Sequence, residues 1–157
     1  MKKIILTAIA ILLTVSAFAQ DGKAIYRKYS DKEGVSAVYI SPAMFRLMGR
    51  LPDMDVNGTD IAPVVRKIHG FYLISTENPS VISSLKSDVD RFMDKGNYEL
   101  LLEAKEDGEN VRIYTVGDGN IVSSLVLIAR DGEESTFICL DGEISQEELD
   151  MVLQSAM

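Results

Sequence analysis

The sequence contains no tryptophan, one histidine and one cysteine in 157 residues. One Cys cannot close an internal disulfide, and one His beside one Cys falls short of the ligand sets that structural zinc sites gather. Basic residues are scarce too: 16 Lys and Arg stand against 24 Asp and Glu, a formal charge of −8. Neither a basic run nor a basic face is present, which argues against nucleic acid and against anionic lipid as partners. The chain also has no G-x-S-x-G, no H-E-x-x-H and no P-loop. After residue 19 no stretch is apolar enough to span a bilayer.

What the chain does have begins with its first residues. Lys2-Lys3 gives a positive start, Ile4 to Val15 is apolar apart from Thr7 and Thr14, and Ala17-Phe18-Ala19 fits the small-x-small cleavage rule before Gln20. The pattern predicts a secretory signal peptide over 1–19 and one exported domain over 20–157. No Cys follows the cleavage site, so no lipidated N-terminus is expected. Loss of Lys2 and Lys3 leaves 14 basic against 24 acidic side chains, a charge of −10. A domain of this length hides enough surface to fold without cross-links.

The periodicity then gives the elements. Asp21 to Lys32 has helical spacing, and Val35 to Ser41 reads as a strand. Ser41-Pro42 opens a helix in which Met44, Leu47, Met48 and Leu51 are expected to form a buried stripe, with Ile40 stapled onto Phe45. A short helix is expected near Ile61 to Ile68, a strand over Phe71 to Ser75, and a long helix from Asn78-Pro79 to Gly96 burying Ile82, Leu85, Val89, Phe92 and Met93.

From Tyr98 the period falls to two. Tyr98, Leu100, Leu102 and Ala104 are expected to share one strand face. Asp107-Gly108, Asp118-Gly119 and Asp131-Gly132 separate three further apolar runs, as hairpin turns do. A fourth pair, Asp141-Gly142, is expected to lead into a last helix capped by Ser145 and Glu148, with Leu149, Val152, Leu153 and Ala156 on its buried stripe. The expected fold is α+β: a mostly antiparallel sheet of five to six strands ending in a four-stranded meander, with helices mainly on one face.

Few residues are placed for chemistry. Cys139 sits in a strand-like run and is expected in the core, and a Cys139–His69 pair would need a geometry that the sequence does not supply. His69 is in phase with Phe71 and Leu73 and is expected to be partly buried and hydrogen-bonded. Asp53, Asp55 and Asn57 follow the spacing of a calcium loop, and Asp60, at an eighth position that is usually apolar, is a candidate substitute ligand. The closing glutamate is missing, since Val64 stands at the twelfth position. No cofactor is indicated. Tyr26, Tyr29 and Tyr39 could offer aromatic contacts, or simply pack.

Tyr26-Arg27-Lys28-Tyr29-Ser30, Gly34 to Ser41, Ala43-Met44-Phe45, Asp107 to Tyr114 and Gly142-Glu143-Ile144-Ser145 together resemble domain-of-unknown-function family 4252 over nearly the whole mature chain. The resemblance implies a small exported protein of a Bacteroidetes-type envelope, often encoded near sigma-factor regulatory genes. It carries no catalytic residues to transfer, and the Asp53 to Asp60 loop is not part of its pattern. The expected function is a non-catalytic binding or interaction module of the cell envelope or periplasm, linked to envelope signalling, with another envelope protein as partner. The alternatives are a small exported hydrolase using Cys139 or His69, and a calcium-dependent binding domain.

Overall fold

The structure, a computed structural model, describes residues 22–51 and 54–156; the expected signal peptide and Asp53 lie outside the described residues. The helices are α1 (Gly22–Tyr29), α2 (Pro42–Met48), α3 (Ala62–Val65), α4 (Pro79–Lys95) and α5 (Gln146–Ala156). The strands are β1 (Val35–Ile40), β2 (Asp55–Val56), β3 (Thr59–Asp60), β4 (Ile68–Thr76), β5 (Glu99–Glu106), β6 (Glu109–Asp118), β7 (Ile121–Arg130) and β8 (Ser135–Ser145). Six strands form one antiparallel sheet in the order β1-β4-β8-β7-β6-β5, and β2 pairs with β3 alone. This is the expected α+β architecture, including the meander from β5 to β8.

The caps work as their residue types require. Ser41 Oγ accepts from the Met44 N–H at 3.3 Å and starts α2, and Asn78 Oδ1 accepts from the Ser80 N–H at 3.1 Å and starts α4. At α5 the Glu148 N–H donates to Ser145 Oγ, while Glu148 Oε2 accepts from the Ser145 N–H. Both halves of that capping box are therefore made. Asp107 and Gly108 both have positive φ, at 46° and 93°, as the tight β5–β6 hairpin demands.

The main helical layer, α1 with α4, covers one face of the sheet. Ile25, Tyr29, Val81, Leu85, Val89 and Phe92 meet Tyr72, Ile74, Val126, Ile128, Phe137 and Cys139 there, and all are buried. Val81 takes the buried place expected of Ile82, which is half-buried. A second cluster of Phe45, Val64, Val65, Ile68 and Ile144 gathers α2, α3 and α5 around Ile40, Phe71 and Leu140. Phe71 and Leu140 alternate with Tyr72 and Cys139, so this cluster lies on the opposite face, at one end. Of the α5 stripe, Leu149 and Val152 pack into it; the side chains of Leu153 and Ala156 lie outside the described residues.

Four expectations need correction. The α2 stripe is not buried as a whole: Phe45 is, but Met44 and Leu47 are 48% and 59% exposed and Leu51 is exposed as well. A seven-residue helix at the sheet's end has only one side to bury. Asp141-Gly142 is no turn; it lies inside β8, where Gly142 lets the backbone approach the Lys67 carbonyl. Leu101 is an extra residue in β5, so Leu100 pairs with Tyr114 and Leu102 with Ile113. Leu100 and Leu102 therefore leave their common face, and the whole strand is exposed.

The fourth concerns His69. It is exposed, because β4 shifts register between Ile68 and Gly70 and leaves this residue without a strand partner. The shift breaks the phase with Phe71 and Leu73 and turns Ile68 into the second cluster.

Candidate interaction face

The part of the second sheet face that α2, α3 and α5 leave uncovered carries an unusual surface. Strand register places Val38, Leu73, Ile138, Leu127, Ile113 and Leu102 side by side in one row across all six strands. Each is branched and aliphatic, as strand positions prefer. None is buried: Val38 and Leu102 are 44% and 47% exposed, and the four between are half-buried. The flanking rows on this face run from Ser36 to Ala104 and from Ile40 to Glu99. Among these three rows of six positions, only Glu99 is ionisable. A water-facing sheet side normally alternates polar residues against the core side, and here that alternation is absent. Contiguous apolar surface of this kind marks interaction sites.

Both sheet edges adjoin the face. β1 contains no charged residue and no proline, and β5 presents Leu100, Leu101 and Leu102 exposed in succession. Open edges accept partner strands, although the Leu101 bulge and Glu103 and Lys105 blunt β5.

The residues singled out from the sequence sit elsewhere. Cys139 is fully buried on the opposite face, with Ser124 Oγ at 3.4 Å and Asp141 Oδ1 at 3.5 Å. Burial, then the Asp141 charge, pushes its thiol up to about 12, so it is not a thiolate at neutral pH. Among the described residues no hydrogen bond joins it to the exposed His69. Asp55 and Asp60 face each other across the β2–β3 hairpin, with Asn57 and Gly58 as its turn. Asp55 Oδ1 accepts from the Gly58 N–H and Asp60 Oδ1 from the Ala62 N–H, the hydrogen bonds of ordinary turns. Among the described residues no group of three or more His, Cys, Asp or Glu is arranged to hold a metal ion.

The tyrosines pack. Tyr26, Tyr39 and Tyr72 form a cluster with ring centroids 5.2–5.9 Å apart. Tyr29 is fully buried and donates to Asp88 Oδ2 at 2.6 Å. Burial works against the Asp88 charge, but hydrogen bonds from Lys28 and Tyr29, with the charges of Lys28 and Arg91, hold its carboxyl below the usual range. A cleft of about 170 Å³ lies between α4 and the β6–β7 pair, lined by Asp90, Met93, Asn110, Arg112, Tyr114 and Arg130. Arg130 faces Asp90 and Arg112 faces Glu103, while Arg130 Nε and Asn110 Oδ1 are buried there without a hydrogen-bond partner among the described residues. No nucleophile stands beside a base there.

The model of the family described as "Domain of unknown function (DUF4252)" matches residues 29–152. The chain belongs to this family. The matched DUF4252 region takes in every strand and all of the apolar face. No curated protein and no solved structure matches the chain. The signal that could have exposed the DUF4252 face beforehand is the pair of runs Ile121 to Ala129 and Ser135 to Leu140. They are apolar on both sides, while the helices supply one full layer. Among the described residues no helix is long and apolar enough to cross a membrane.

Proposed function

We propose that this DUF4252 protein is an exported, non-catalytic interaction module of the cell envelope that docks a protein partner on the open face of its sheet. The observation that carries the reading is the uncharged row from Val38 to Leu102. An uncovered apolar surface on an acidic, water-facing domain is costly unless something covers it. Polar residues elsewhere cap helices, close turns and pair with one another, which fits a scaffold more than a reaction centre.

Two measurements test it. Cell fractionation is expected to find the chain outside the cytoplasm with Gln20 at its N-terminus; recovery from the cytoplasm with Met1 intact overturns the export half. Immobilised wild-type chain is expected to retain an envelope protein that Ile138→Lys does not, and equal retention by both overturns the docking half.

A further inference from the structure

We infer that the cleft between α4 and the β6–β7 pair binds a neutral sugar, one of whose hydroxyl groups bridges Asn110 and Arg130. The site lies on the side of the sheet that carries α1 and α4, so it is separate from the docking face and does not rest on it.

Two buried atoms set the chemistry. Arg130 Nε is a donor and Asn110 Oδ1 an acceptor, and neither has a partner among the described residues. The two residues are directly opposed across β6 and β7, which places their Cβ atoms about 5 Å apart on one face. Leaving both groups unmade is costly, and yet they do not bond to each other.

Carboxylates explain why. Asn110 stands in register between two cations, Lys105 on β5 and Arg130 on β7. Lys105 Nζ is held by Glu103 Oε1 at 2.7 Å, and Arg130 Nη2 leans to Asp90 Oδ1 at 3.4 Å. Arg112, next on the same face of β6, also turns to Glu103, at 3.1 Å. The donors nearest Asn110 are thus drawn off to β5 and to α4, and the cleft of about 170 Å³ remains beside it.

The same groups select the ligand. Asp90 and Asp94 balance Arg112 and Arg130 in the lining, so neither an anion nor a cation is favoured over a neutral molecule. A hydroxyl accepts and donates at a single oxygen, as two side-by-side groups of opposite type require. A peptide group does not, because its N–H and C=O point opposite ways across the planar trans bond. Tyr114 and Met93, each partly buried, add an apolar wall for the C–H face of a ring. At about 30 Å³ per water the space takes about five or six waters, the room of one sugar ring.

Backbone amide NMR spectra of the isotope-labelled chain test this, with glucose, galactose, mannose and N-acetylglucosamine each added to ~50 mM, enough to saturate millimolar binding. At least one sugar is expected to shift the signals of residues 110–114 and 128–130 along a saturating curve. Asn110→Leu, which removes the acceptor, is expected to raise that dissociation constant at least tenfold. Should the variant unfold, Asn110→Asp serves instead: its carboxylate pairs with Arg130 and Lys105 in the ligand's place, with the same expected loss. No saturable shift with any of the four sugars leaves the pair to water and overturns the inference, as does binding that either folded variant retains in full. Tighter binding of glucuronate than of glucose would show that the guanidinium groups take an anion, and overturns the neutral assignment.

Discussion

The phenol of Tyr29 and the carboxylate of Asp88 lie 2.6 Å apart and tie α1 to α4. Lys28, beside Tyr29 on α1, reaches the same carboxylate, and Arg91 approaches its other oxygen from one turn on. This single acid therefore organises the contact between the two helices of the main layer. Its carboxyl is held low, so the stabilisation it gives is present above the ordinary carboxylate value of about 4 and is lost as pH falls through its folded value. Asp88→Asn is expected to cost about 1–2 kcal/mol at pH 7 and to flatten the acid limb of a Tm-against-pH curve. An unchanged acid limb would remove Asp88 from that role.

The alkaline side has the opposite sign. Burial, with the hydrogen bond to Asp88 and its charge, raises Tyr29 above the usual tyrosine value. The unfolded chain ionises near pH 10 while folded Tyr29 does not, so stability falls as pH rises past about 10. Absorbance titration at 295 nm is expected to show one tyrosine that ionises only with unfolding, and Tyr29→Phe is expected to remove that late step.

Cys139 is expected to resist alkylation. A thiol pushed up to about 12 leaves roughly one molecule in 10⁴ ionised at pH 8, and the folded chain covers the sulfur besides. Labelling should follow the unfolding curve in denaturant, with rapid labelling of the native protein as the contrary result.

Gly142 accounts for a further outcome. A methyl group there would stand 2.7 Å from the Lys67 carbonyl oxygen, a backbone atom that also accepts from the Glu143 N–H. Gly142→Ala is expected to cost about 2 kcal/mol, or roughly 4–8 °C in Tm, measured by thermal unfolding.

At the start of α5, Ser145→Ala is expected to lose about 1 kcal/mol, because it leaves the Glu148 N–H without its acceptor. Ser145→Asp should recover most of that loss in the same assay. Equal stability of all three proteins would mean that the cap contributes nothing.

Helices, hairpins and caps were legible because each rests on local chemistry: Ser41 before Pro42, Asn78 before Pro79, the Ser145 and Glu148 pair, and Asp-Gly turns. The register shifts at His69, Leu101 and Ser123 were not legible. A bulge adds one residue with no compositional mark, and every later side chain changes face. Asp141-Gly142 misled for a related reason. The same dipeptide serves a turn at Asp107-Gly108 and a close backbone approach inside β8, and only the long-range neighbour, Lys67, distinguishes them. The candidate face was hidden because it exists only as a row across six strands, assembled by pairings as distant as Leu73 with Ile138.

The place of β8 between β4 and β7 also governs the order of assembly. β1 and β4 are made early, yet nothing links them to the meander until residues 135–145 have emerged. A chain synthesised N-terminus first would hold two unfinished half-sheets until its final strand arrived and zipped them together. Premature termination anywhere before that strand would release fragments with raw edges and no shorter folded product.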